Sequence, residues 1–391
     1  MPRGPRLQPI ALPAGTAAVQ TVAFVLRPTA TYRAIELDVS GPWLGAVAAS
    51  FAIAPFLLAV PSGHMVDRFG ERAVMLTGAG LLSGSALLFL SAGGTVAGLV
   101  AATAALGAGH LCSIVAQQAL VANATPSDRY DTAFGRYTFA ASAGQALGPG
   151  LIIAFGGGQT IPHTEAIFLG AALLTVVPAA AALLTRSSPG RPESADGDPR
   201  GMRELLRRPG LIRALSVSCV VLAALDVTLV YLPALGTERG IAAGAVGLLL
   251  TLRAVASMAS RFFLGRLSAA LGRRALLIGT VAVAAAGLAV APVPMPLWTL
   301  APVVIAIGFG LGAGQPLTMS WLAESTPPGM RGRAMSLRLA GNRFGQIVLP
   351  SAAGLVAAGA GAAGVLGFTA LGLAAAGVAA RRLHRPTVED R

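Results

Sequence analysis

The sequence predicts an all-α polytopic membrane protein, with twelve transmembrane helices arranged as two six-helix bundles in parallel repeat. Three observations carry that expectation. Of the 391 residues, 54% are hydrophobic and only 12% charged, about half the charged share of a soluble domain. Apolar stretches of about 20 residues, the length that spans a bilayer, recur along the whole chain. The second half also repeats landmarks of the first at an offset of 201 to 202 residues.

In chain order the apolar stretches fall at 9–31, 43–62, 73–93, 97–121, 134–156, 165–185, 211–235, 243–264, 275–292, 297–322, 334–357 and 362–380. At about 1.5 Å per residue each is long enough to cross hydrocarbon as a helix. Arg3 and Arg6 precede the first stretch in the manner of a signal peptide. No small-residue cleavage site leads from it into a polar domain, so it reads as a retained helix. Between the sixth and seventh stretches lies RSSPGRPESADGDPRGMRELLRRPG, residues 186–210, a linker by its Pro, Ser, Gly and charge content. The chain therefore divides into an N-terminal six-helix bundle (1–185), a linker (186–210) and a C-terminal six-helix bundle with a short tail (211–391).

All 29 basic side chains are Arg and the formal net charge is +13. Such a charge would suit nucleic acid, but most of these arginines lie in turns, linker and tails outside the apolar stretches, which is a membrane topology. Placing both termini and the linker in the cytoplasm puts 22 arginines inside and only Arg33 and Arg239 outside. That asymmetry assigns a multi-pass protein of the cell inner (plasma) membrane with cytoplasmic termini. Cys112 and Cys219 sit within apolar stretches and support neither a disulfide framework nor a metal site. No G-x-x-x-x-G-K-[ST] phosphate loop is present, so energy from nucleotide hydrolysis is not expected.

Residues Gly63 to Arg72, GHMVDRFGER, form a charged, glycine-bounded turn of the form G-x-x-x-D-R-x-G-x-R between the second and third stretches. Asp67, Arg68 and Arg72 exclude this turn from hydrocarbon, while Gly63 and Gly70 favour bends and close backbone approach. Gly265 to Arg274, GRLSAALGRR, repeats the frame with Gly265, Gly272, Arg273 and Arg274, but places Ala269 and Ala270 where the Asp-Arg pair stood. Further landmarks recur: Glu36 and Gly45 match Glu238 and Gly247, Gly144-Gln145 matches Gly345-Gln346, and Pro149 matches Pro350. With six helices per half, both repeats enter from the same side, and the duplication is parallel about an axis along the membrane normal.

The turn motif and its position resemble the major facilitator superfamily of secondary transporters, in particular its drug/proton antiporter-like branch. The resemblance implies a central substrate site between two halves that rock to expose it alternately. It also implies that Asp67 pairs across the halves with the start of the eleventh helix, where Arg331, Arg333 and Arg338 are candidates. In the fifth stretch Gly135, Gly144, Gly148 and Pro149 resemble the G(x)8G(x)3GP pattern of proton-coupled exporters, although Ile152 and Ile153 replace its last two glycines. Physically, such glycines also serve ordinary close helix packing.

The interiors of the third, sixth, ninth and twelfth stretches hold no ionisable residue, which fits a lipid-facing outer layer. Buried polar groups in the others are the candidates for substrate and proton coupling: Arg27, His110, Gln117, Asp226, Arg253, Asn342 and Arg343. His110 and Gln117 share a helical face with Thr103, and an imidazole titrates near neutral pH. Asp226 and Arg253 lie at one depth on consecutive helices, which predicts an ion pair, structural or coupling. Arg27 precedes Pro28, a predicted kink, and either holds substrate or extends its charge toward the outer surface.

The expected function is secondary active transport of a small solute by alternating access, as efflux by proton antiport. The alternative is proton-coupled uptake of an anionic solute, motivated by the surplus of buried arginines over Asp226. A third reading, of another class, is a non-transporting membrane receptor or scaffold on the same fold. Expected partners are a small-molecule substrate, protons and the lipid bilayer, with no nucleic acid; the chain is expected to be monomeric and to need no cofactor, the proton gradient supplying energy.

Overall fold

The computed structural model describes residues 8–124, 130–185, 211–325 and 331–381, and among these every regular element is helical. The N-terminal half comprises α1 (Gln8–Glu36), α2 (Gly41–Phe69), α3 (Glu71–Ala92), α4 (Val96–Ala124), α5 (Tyr130–Leu147), α6 (Gly150–Gly156), α7 (Thr164–Leu174) and α8 (Val176–Leu184). The C-terminal half comprises α9 (Leu211–Glu238), α10 (Ala243–Phe262), α11 (Leu264–Leu271), α12 (Arg273–Val290), α13 (Leu297–Ser325) and α14 (Arg331–Arg381).

Breaks in the helices explain why elements and spans differ in number. Pro149 cannot donate a backbone hydrogen bond, and the fifth span divides there into α5 and α6. The sixth span divides at Thr175 into α7 and α8, because Pro178 leaves the Leu174 carbonyl without its donor four residues on. The 51 residues of α14 would extend about 76 Å as one rod, more than twice the hydrocarbon thickness. Non-helical Gly361 (φ 61°) divides it into two spans, which brings the described chain to twelve. Pro28, by contrast, is absorbed: α1 runs through it to Glu36 without a break.

The charged turn is shorter than the sequence predicts. α2 continues helically through Gly63 to Phe69, and only Gly70, at φ 81° and ψ 160°, makes the corner. Gly272 makes the matching corner at φ 77° and ψ 146°, so both repeats turn on a backbone conformation that strongly favours glycine. The expected close approach at the motif's leading glycine is not found in the second copy, where space around Gly265 is open. The side chain of Asp67 lies outside the described part of the structure, as do those of Arg331 and Arg333 and the surroundings of Gly63 and Gly135. Arg68 is exposed and stacks on Phe69 at 5.3 Å, and Arg274 donates to the backbone carbonyl of Arg381.

The spans form layers. The first and seventh are the most enclosed, each 72% buried, whereas the third, sixth and ninth are 44, 39 and 44% buried and present apolar residues such as Leu87, Leu173 and Val283 outward. A surface of that kind is soluble in lipid and not in water. At the end opposite the termini, each half is braced alike. Arg33 donates to the Gly93 carbonyl, and Arg239 to the carbonyls of Ala291 and Pro292. Glu36 accepts from the Thr164 hydroxyl, and its repeat partner Glu238 accepts from the Ala362 backbone N–H, so each acid ties down the start of the sixth span of its own half.

The halves meet along crossed seams, α2 on α14 and α10 on α5 and α6, with α1 against α9 between them. Gly45 lies against Pro350 and Gly354, while Gly247 lies against Pro149 and Ile153. These two contacts join matching positions under the 201–202 offset, related by a pseudo-two-fold axis. A backbone hydrogen bond from Ala243 to the Gln159 carbonyl (2.6 Å) adds to the second seam.

Candidate functional site

Mid-depth groups from both halves converge where α1 meets α9. Arg27, 20th of the 29 residues of α1, and Asp226, 16th of the 28 of α9, form an ion pair at 2.6 Å; both side chains are at most 5% exposed. The guanidinium also sits 4.3 Å over the Phe51 ring of α2. The second Asp226 oxygen accepts from the Gln346 amide of α14, and Gln346 in turn accepts from Arg343 at 2.9 Å. One carboxylate thus connects α1 of the first half to α9 and α14 of the second.

The expected Asp226–Arg253 pair is corrected by this geometry: the partner of Asp226 is Arg27, across the halves. Arg253 lies close enough to feel the charges of Asp226, Arg27 and Arg261, yet among the described residues it makes no hydrogen bond or ion pair, and its Nε is buried without a partner. Arg27 likewise does not reach for the outer surface; the acid across the interface holds it inside.

A second polar group lies beside the first. On α4, Thr103, His110 and Gln117 are all buried, and the last two meet α1. Gln117 accepts from Thr16 (3.2 Å), and His110 Nε2 lies 3.4 Å from the Gln20 carbonyl oxygen, which also accepts from Gln145. The imidazole stands 5.4 Å from the Phe51 ring, with its Nδ1 unpartnered. Toward the termini, Asn342 accepts from Ser218 (3.0 Å), Arg338 donates to Gln315 (2.9 Å), and Arg261 reaches across the halves to Ser142 (3.2 Å).

Sequence reasoning passed over Thr16, Gln20, Gln145 and Phe51. Their signals were nevertheless present. Thr16, Gln20 and Arg27 are spaced four and seven apart, one face of α1. Gln145 is the repeat partner of Gln346, and Phe51 that of Arg253. The repeat even preserves the packing behind these positions. Gly107 leaves room for the Phe51 carbonyl, and Gly308, its repeat partner, leaves room for the Arg253 carbonyl.

The glycines of the fifth span receive a packing account. A Cβ on Gly144 would strike Ala17 and Gln20 of α1, and one on Gly148 would strike Phe24. Gly345 stands to Cys219 as Gly144 does to Ala17. A cleft of about 470 Å³ at the end opposite the termini is lined by Arg33, Glu36, Gln159, His163, Thr164 and Glu165. Its charges already brace the loops, with Arg33 bonded to Glu36 at 2.8 Å, and Arg33 lies six residues, about 9 Å, further along α1 than Arg27.

Two like helical halves with ionised groups buried where they meet define the class of membrane transporters. The chain belongs to the Major Facilitator Superfamily, whose family model matches residues 14–235 and again 214–391. It is therefore a transporter and not an enzyme. It is 30% identical over 173 residues to Multidrug resistance protein 1 of Bacillus subtilis (strain 168), a match taking in 44% of this chain and 43% of that protein; the chain spans under half the length of that relative. Among solved structures it is similar to a D-xylose–proton symporter (TM-score 0.77, 16% identity, 98% of each chain). It is similar also to the nucleoside transporter NupG (TM-score 0.76, 14% identity, 97% of this chain and 100% of that one). A bacterial homologue of the human lysosomal transporter Spinster, in an inward-facing and occupied conformation, aligns with TM-score 0.74 and 15% identity over 99% of each chain. At these identities the solved structures speak for the fold.

Proposed function

We propose that this chain exports a small solute in exchange for protons, by alternating access around the Asp226 group. The observation that carries this reading is the Arg27–Asp226 pair, because it ties one half to the other at mid-depth through a group that can take up a proton. In a low-dielectric interior the pair holds only while both members are charged. A proton on Asp226 cancels its charge, weakens its hold on Arg27 and frees α1 to part from α9. Proton binding and the motion of the halves are then one event. The direction, export, is supported by the likeness to a multidrug resistance protein.

The test is flux in proteoliposomes under an imposed pH gradient, with a panel of drugs, amino acids and organic anions and a pH dye inside the vesicles. Export by antiport predicts that adding the transported solute moves protons opposite to it, and that Asp226→Asn removes the gradient dependence by tenfold or more. Flux indifferent to the gradient would overturn the coupling role of Asp226. Protons moving with the solute would instead support proton-linked uptake of an anion, the reading that the surplus of buried arginines favours.

A further inference from the structure

We infer that the solute is a small organic oxyanion, a carboxylate or phosphate ester, bound by Arg253 and Arg343; this deepens the proposed function, on which it rests. Three buried guanidiniums, Arg27, Arg253 and Arg343, share the field of one carboxylate, and both oxygens of that carboxylate are already taken by Arg27 and Gln346. Arg253 and Arg343 lie within reach of the Asp226 and Arg27 charges, but neither has an acidic partner among the described residues.

Arg253 is the sharper of the two. It is 2% exposed, sits halfway along α10, and none of its N–H donors meets an acceptor in the described structure. A guanidinium has five donors in a flat fork that matches a carboxylate or a phosphate. Burying that fork without an acceptor is costly, and a protein that keeps it there leaves the acceptor to a ligand. Ser257, one turn further along α10, adds a buried hydroxyl without a partner. Arg343 is half-buried and, among the described residues, gives only one N–H, to the neutral Gln346 that also holds Asp226, which leaves its other donors for an anion. The site thus lacks negative charge and acceptors together, and an oxyanion supplies both.

The site also departs here from its own pseudo-symmetric copy. Where the second half has Arg253 on α10, the first has Phe51 on α2, with the same glycine backing. The apolar ring lies beside Arg27 and His110 and suits the organic part of the ligand.

The experiment uses the full chain purified in detergent, with no gradient, and reads the melting temperature against matched probes at equal ionic strength. These are benzoate, benzylammonium, benzyl alcohol, phenyl phosphate and inorganic sulfate. Benzoate or phenyl phosphate should stabilise the wild type while benzylammonium and benzyl alcohol do not. Arg253→Gln should weaken the apparent affinity for the stabilising anion at least tenfold, yet melt at or above the wild-type temperature without ligand, because it removes an uncompensated charge. Arg253→Lys should retain part of the affinity. Stabilisation by the cation or the alcohol instead, by sulfate alone (an inorganic anion only), by no probe, or by an anion indifferently to Arg253→Gln would each overturn the proposal. Because binding is read at equilibrium, a failure of proton coupling in vesicles leaves this result standing, and the two readings fail separately.

Discussion

At the scale of single residues, the charge arithmetic around Asp226 makes an asymmetric prediction. Asp226→Asn leaves three guanidiniums with no counter-charge, whereas Arg27→Gln leaves two guanidiniums sharing one carboxylate. Removing one member of a buried pair costs roughly 3–5 kcal/mol when the other is stranded. Asp226→Asn should therefore lie near the upper end of that range and Arg27→Gln clearly below it, as judged by melting temperatures of the purified variants. Equal losses would mean that Arg253 and Arg343 do not share the field of Asp226. The membership of this group was largely legible in the sequence, because an ionisable residue within an apolar stretch is costly in hydrocarbon and turns toward a partner or a cavity. The pairing was not. Depth along a helix is one coordinate, and Asp226 and Arg253 agree in it; which helices face each other across the axis is a second, and it brings Arg27 of the other half to the acid.

At the scale of helices, contacts of backbone on backbone decide which glycines matter. A Cβ on Gly308 would collide with the Arg253 carbonyl, and neither partner is a flexible side-chain end. Gly308→Ala should thus cost about 1–3 kcal/mol, the usual range for overpacking, and should displace α10 at the residue proposed to hold the anion. Gly80, on α3, has open space where its Cβ would go; Gly80→Ala should be neutral or stabilise by up to about 1 kcal/mol. If both substitutions lower the melting temperature alike, the close approach of α13 to α10 is not what keeps Gly308 a glycine. The same distinction explains why the charged turn was over-read. A G-x-x-x-D-R-x-G frame looks like a loop because its residues are polar, yet a helix can carry polar residues out of the membrane. Only Gly70 and Gly272, with positive φ, must leave the helix. Breaks at Pro149 were legible from the missing N–H, while the passage of α1 through Pro28 was not, since neighbouring packing and not the proline decides whether a bend becomes a break.

At the scale of the molecule, the parallel duplication was the most legible feature, and the structure shows what it organises. Gly45 on Pro350 and Gly247 on Pro149 are one contact made twice, on either side of the α1–α9 core. If each half moves as a rigid body, opening one seam must open the other. A leucine at Gly45 would drive α2 from α14 at the end opposite the termini. The other seam can be watched through Gln159 and Ala242, neighbours across the Ala243–Gln159 backbone hydrogen bond, by replacing both with cysteine in a chain lacking Cys112 and Cys219. Oxidation should join this pair readily in the otherwise unaltered protein. With Gly45→Leu added, the yield should fall severalfold, although the substitution touches neither cysteine nor the loops that carry them. An unchanged yield would mean that the seams yield independently, and that a proton arriving at Asp226 releases one corner of the interface without rocking the halves.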